Sequence, residues 1–227
     1  MTERPHTVKS YDEALVALDR SIERMGVLAT KAIEDAFAAL EKADTARAMK
    51  VIDDDKMIDA IEREVDRSAL SLIALRQPLA ADLRHIAAAM KISSDMERIG
   101  DLAKNIAKRA LELTGSGSQM GQLPSVRPLV DRAQAQVRDV LTAFSKRDAA
   151  LADEVWRRDA ELDIQHQALF RSLLTFMMED PRNIGPCAHL LFIAKNLERI
   201  GDHATNIAEK VILMVSGGEP SEERPKG

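Results

Sequence analysis

Cysteine occurs once, at Cys187, so the chain cannot form an internal disulfide and has no thiolate cluster with which to hold a metal. Aromatic residues make up only 3% of the sequence, which argues against the pleated sheets where they concentrate. There is no Lys/Arg run and no basic stretch interleaved with aromatics. With a net charge of -5 and a pI near 5.6, the chain has no electrostatic reason to bind a phosphate backbone, so no nucleic-acid partner is expected. No segment approaches the ~18 uninterrupted apolar residues of a spanning helix, so membrane association is expected to be peripheral and only through partners. The start, MTERPHTVKSYDEAL, lacks the apolar stretch of a secretory signal, and the expected location is cytoplasmic.

What is present favours helices. The 227 residues are 45% hydrophobic and 30% charged, enough to bury a core as one large domain or two small ones. Ala, Leu, Ile, Met, Glu, Lys and Arg dominate, which is a helical bias. Leu18, Ile22, Met25, Ala29, Ala32, Ala36 and Ala39 recur at steps of four and three and lay an apolar seam along a first helix, with Ser10 and Glu13 as a capping box at its start. Asp44 is placed to cap a second helix whose seam reads Met49, Ile52, Ile61, Val65 and Leu72 until Gln77-Pro78 interrupts it. A third is expected to begin at Pro78 and run to about Thr114, before the linker GSGSQMGQLP.

The plan then repeats. Glu97 to Ala107 reads ERIGDLAKNIA, and Glu198 to Ala208 reads ERIGDHATNIA, with Leu102 and Lys104 replaced by His203 and Thr205. Asp44, Ala46, Ala48, Val51, Asp55 and Asp59 match Asp148, Ala150, Ala152, Val155, Asp159 and Asp163. The expectation is all-α: two tandem three-helix bundles, six long helices in all, related by internal duplication. Residues 1–8 form an N-terminal tail, 9–114 the first unit, 115–124 the linker, 125–216 the second unit and 217–227 a disordered tail.

Positions four apart share a helix face, so Glu97 stacks above Asp101 with Asn105 a turn further on, and Asp55 pairs with Asp59. If the two helices fold back at Gln77-Pro78, Asp59 comes level with Glu97, and Asp55 with Asp101. The second unit repeats this registry with Asp163 beside Glu198, Asp159 beside Asp202, and Asn206 at the edge. Two unit negative charges ~6 Å apart repel by roughly 3 kcal/mol at an effective dielectric near 20. Four carboxylates therefore require cations, protons or water, and oxygen ligands suit hard ions such as Mg, Mn or iron. The plain alternative puts these acids on separate solvated faces, paired with Lys or Arg. Gly100 and Gly201 mark a close approach to the helix backbone. Ile99, Ala103, Ile106 and Ala107 read as packing residues, Arg98 and Arg199 as salt-bridge partners, and Trp156 as core. His166, which replaces Glu62, is a surface histidine or a secondary ligand.

Two three-helix units, each with an E-x-x-x-D-x-x-x-N stripe, and the turn RQPLAADLR from Arg76 to Arg84 resemble the PhoU family over nearly the whole chain. The resemblance implies a cytoplasmic, often dimeric, negative regulator that works with an ABC-type phosphate transporter and a phosphate-sensing histidine kinase. It also implies multinuclear metal ions, their identity open among iron, Mn, Mg and Zn. Carried onto this chain, the ligands are Glu97, Asp101, Glu198 and Asp202, with Asp55, Asp59, Asp159 and Asp163 as weaker candidates and Asn105, Asn206 and His166 at the rim. The copies differ where Asp95 becomes Asn196, Glu62 becomes His166 and Leu102 becomes His203, so equal metal content in the two units does not follow. A di-iron enzyme is disfavoured, because Gly100 and Gly201 stand where the Glu-x-x-His pattern needs histidine, and no enzyme activity is expected. The competing readings are a metal-free helical scaffold and an accessory protein of another phosphate or anion carrier.

Overall fold

The computed structural model describes residues 5–115 and 124–218. They form six long helices and no strand among the described residues: α1 (Pro5–Lys42), α2 (Thr45–Arg76), α3 (Ala80–Gly115), α4 (Arg127–Lys146), α5 (Ala149–Glu179) and α6 (Ile184–Ser216). A 3-10 turn, Pro181–Asn183, joins α5 to α6. The first three helices pack on one another as one bundle and the last three as a second. The linker and the end of the C-terminal tail expected from sequence fall mostly on 116–123 and 219–227, outside the described residues.

Helix boundaries follow local chemistry. Asp44 accepts a hydrogen bond from the Arg47 N–H at 2.9 Å, so the expected cap forms, and its repeat counterpart Asp148 accepts one from the Leu151 N–H at 3.0 Å. Three starts differ from expectation. The first helix already runs from Pro5, so Ser10 lies inside it and the segment to residue 8 is not wholly a tail; proline fits a first turn, and a capping box marks a start only where the chain before it leaves the helix. The third begins at Ala80, because Gln77 turns left-handed at φ 47° and leaves Pro78 in the turn. The fourth begins at Arg127, whose N–H donates to Ser125 Oγ at 3.2 Å.

The first seam is buried as expected except at Ala32, which is half-buried. The α2 seam lies one residue earlier at its start than the pattern predicts: Met49 is 52% exposed, and Ala48, Val51 and Ile58 take the core positions. Trp156 is buried and its Nε1 donates to Glu209 Oε1 at 3.3 Å.

The bundles join through α1 against α4 and α3 against α6. Both contacts are antiparallel. His203 meets Asp95, the Arg109 guanidinium stands 4.6 Å over the Phe192 ring, and His189 reaches Glu112 at 3.3 Å. On the other contact Ser145 donates to Glu23 at 2.6 Å, and Gln134 donates to Glu34 at 3.0 Å. The carboxylate-bearing α2 and α5 lie outside this four-helix seam, each folded against the ERIGD helix of its own unit.

Candidate functional site

The registry deduced from the turn is realised through backbone contact. At Gly100 an added Cβ would sit 2.8 Å from Ile58 Cδ1 and 3.2 Å from Asp55 Oδ1. At Gly201 it would meet Leu162 Cδ2 and lie 2.8 Å from Gln136 Oε1 and 3.2 Å from Asp159 Oδ1. Each glycine therefore lets the facing helix bring one carboxylate against the backbone of the ERIGD helix, at the same height in both units.

In the first unit Asp55 is 6% exposed and shares one partner with Asp101. Lys104 Nζ donates to Asp55 Oδ2 and Asp101 Oδ1, both at 2.5 Å. Burial pushes the Asp55 carboxyl up, and Asp59 and Asp101 add to this while Lys104 opposes it. Glu97 is also raised, first by burial and then by the charges of Asp101, Asp59 and Glu62. Glu62 is raised by burial, Asp66 and Asp59. The sequence-derived set is thus electrostatically one group, and Glu62, noted earlier only as the counterpart of His166, belongs to it. Arg98 lies 3.4 Å from both Glu97 and Asp101, the ordinary salt-bridge role. Asn105 is exposed at the rim.

The second unit keeps the acids but changes their company. Asp159 is 2% exposed, and Oδ1 stands 3.5 Å from Gln136 Nε2, a long hydrogen bond. The oxygen of that amide, Gln136 Oε1, is buried without a hydrogen-bond partner. Glu198 Oε2 is buried too. Lys195 Nζ forms an ion pair with it at 2.6 Å. At the position of Lys104 stands Thr205, fully buried, whose hydroxyl donates to the Gly201 carbonyl at 3.0 Å. Asp163, His166, Asp202 and Asn206 are half-buried along the same stripe.

Among the described residues, no three His, Cys, Asp or Glu side chains converge tightly enough to coordinate an ion as they stand. The donor sets nevertheless differ in fit. The second stripe, with oxygen ligands and one buried oxygen, Gln136 Oε1, short of a hydrogen bond, suits a hard cation. The Asp55–Asp101 end of the first stripe is filled by an ammonium. Two residues escaped sequence reasoning here, Lys104 and Gln136. The signal for Lys104 was present, since it is one of two differences between otherwise identical eleven-residue repeats.

Residues 22–110 and 126–211 each match the PhoU domain, one match per bundle. The chain is 49% identical over 226 residues to the phosphate-specific transport system accessory protein PhoU homolog of Caulobacter vibrioides, covering 100% of this chain and 97% of that one. It is 47% identical to the protein of the same description from Rhizobium meliloti, covering 97% and 93%. In structure it resembles PhoU from Pseudomonas aeruginosa, with a TM-score of 0.87 at 38% identity over 92% of this chain and 100% of that one. The phosphate transport system regulatory protein PhoU from Streptococcus pneumoniae follows, at TM-score 0.84 and 27% identity over 93% and 100%.

Proposed function

The chain belongs to the PhoU family, and from that membership we propose that it is a negative regulator of the phosphate-starvation response, working between an ABC-type phosphate transporter and a phosphate-sensing histidine kinase. The observation that carries this reading is the extent of the match: both repeats and essentially the full length align with relatives described as phosphate-specific transport accessory proteins. Its action is non-enzymatic. The acids form no acid–base pair with a nucleophile, and the di-iron pattern lacks its histidines. No described helix is long and apolar enough to cross a membrane, so contact with the transporter is made through protein surfaces, by a chain that acts as a cytoplasmic homodimer.

The carboxylate stripes are proposed to hold metal ions. Glu198, Asp202, Asp159 and Asp163 form the better-fitting set, Glu97, Asp101, Asp55 and Asp59 the other, with Asn105, Asn206 and His166 at the edges. Bound cations would supply positive charge that neutralises the clustered acids. The chain's part is to hold those acids level across each hairpin, which Gly100 and Gly201 make possible.

The test is a deletion strain assayed for phosphate-starvation genes in phosphate-rich medium. Constitutive expression, reversed by the intact gene, is the expected result. Unchanged expression would sink the regulator reading and leave an accessory protein of another anion carrier.

A further inference from the structure

One exposed row of the second unit is apolar where the matching row of the first unit is not. Phe170, Leu174 and Met178 on α5 are 42%, 40% and 86% exposed. Spaced four residues apart, they form a single ridge along the helix. Their repeat counterparts on α2 are Asp66, Leu70 and Ala74. The same place in the same fold is therefore stable with a carboxylate and a methyl, and packing within the unit does not call for Phe170 and Met178. Three large apolar side chains grouped in water mark a surface that something covers.

The row beside it says what. Arg171, Thr175 and Glu179 follow the first row one residue on at each step, and all three are exposed. Between the charged ends the hydroxyls are spent on their own helix, Thr175 Oγ1 donating to the Arg171 carbonyl and Ser172 Oγ to the Ala168 carbonyl, both at 3.1 Å. A ridge with a cation at one end and an anion at the other is complementary to itself when turned end for end. Placed antiparallel about Leu174, it sets Phe170 against Met178 of the partner subunit, a ring-to-thioether contact, and brings Arg171 to Glu179 of the partner subunit. In a parallel pairing like charges would meet at both ends.

We propose that this ridge is the self-association face of the chain: two copies pack α5 against α5, antiparallel, about a two-fold axis at Leu174. This rests on the reading of the chain as a homodimer and adds to it the face, the register and the unit that carries it. The pairing is isologous, the same patch contributing from both sides, so each side chain of the ridge acts twice.

The experiment measures the mass of the full chain by sedimentation equilibrium over a range of concentrations, with circular dichroism on every variant to check that the helices are kept. The parent should dimerise. Leu174→Glu sets two like charges against each other on the axis and should weaken the dimer at least about a hundredfold. Arg171→Glu and Glu179→Arg should each weaken it about tenfold, and the two together should restore it, because the reversed charges face each other again. Leu70→Glu, at the matching place on α2, should leave the dimer unchanged. Should Leu174→Glu lose helix, the two charge reversals and their combination still decide. A dimer that survives Leu174→Glu, charge reversals that do not rescue each other, or equal loss from Leu70→Glu overturns the proposal and leaves a homodimer formed through another face. A parent that stays monomeric at every concentration overturns both this face and the homodimer, and gives the ridge to a different protein.

Discussion

Asp95 on α3 and His203 on α6 face each other across the bundle interface, with Oδ1 2.8 Å from Nδ1. A carboxylate can only accept, so Nδ1 carries the hydrogen. The duplicated positions of these two residues are Asn196 and Leu102, so two departures from internal symmetry have been spent on one new contact. Their side chains are 16% and 18% exposed, shielded enough for a lost partner to matter. Asp95→Asn or His203→Leu alone should cost about 1–2 kcal/mol. The double change should cost less than the sum, with a coupling of about 0.5–3 kcal/mol in a denaturation cycle. Strict additivity would show that the contact does not stabilise the interface.

Glu97, Glu62 and Asp55 are each raised above the ordinary carboxylate value, in every case first by burial. The folded protein therefore holds these protons more tightly than the unfolded chain. The stability they contribute is full below the unfolded value and is lost as pH rises through the raised one. For metal-free protein, Glu97→Gln should flatten the fall in melting midpoint as pH rises past the ordinary glutamate value towards neutrality, relative to the parent, and raise the midpoint at the upper end. A variant whose midpoint tracks the parent's at every pH would remove Glu97 from the coupled group.

The fold was legible where its cause is local. Asp44 and Asp148 cap their helices because an N-cap needs only its own next three residues. The levels of Asp55 and Asp101 followed from counting residues on either side of one turn, and the ammonium they share bears this out. Ser10 misled because its capping pattern is local while the helix upstream of it is not excluded by anything local. Met49 misled because a shift of one residue at a seam's start costs few matches further along. Lys104 was visible as a difference, but its role depended on a flexible side chain reaching between two helices. Gln136 was not legible at all, since its significance requires knowing which face of α4 meets α5. The antiparallel seam of α3 and α6 is likewise a tertiary fact with no period in the sequence.

Ala43 and Arg147 occupy the same place in the two repeats, just past the first helix of each, and both are left-handed, with φ 51° and 53°. The backbone bonds match: Asp44 N–H to Ala39 O and Asp148 N–H to Ala143 O, each 2.9 Å. Glycine removes the left-handed penalty at such a position, so Ala43→Gly should stabilise by about 0.5–1 kcal/mol. Arg147 also reaches Asp19 Oδ2 at 3.0 Å and Met214 Sδ at 3.3 Å, tying the bundles together beside His85. Arg147→Gly gains the same backbone relief and forfeits those contacts, so its net effect should fall below that of Ala43→Gly by about 1 kcal/mol. Equal gains in chemical denaturation would mean that the Arg147 contacts contribute nothing.

Gly100 and Gly201 should likewise part company when each is changed to alanine. Replacing a mid-helix glycine gains about 1 kcal/mol of helix propensity. At Gly100 the new methyl meets one close atom, the flexible tip of Ile58 at 2.8 Å, which need give by only a few tenths of an ångström, and Asp55 Oδ1 at 3.2 Å. At Gly201 it would overlap Leu162 Cδ2 and press on Gln136 Oε1 at 2.8 Å; Leu162 is 0% exposed and Gln136 4%, so neither has room to retreat. Overpacking of that kind costs about 1–3 kcal/mol, more than propensity returns. Gly100→Ala is therefore expected to be near neutral, and Gly201→Ala to destabilise by about 1–2 kcal/mol net. Equal stabilities of the two alanine variants in chemical denaturation would show that Leu162 and Gln136 yield to the Gly201 methyl as readily as Ile58 yields to the Gly100 methyl.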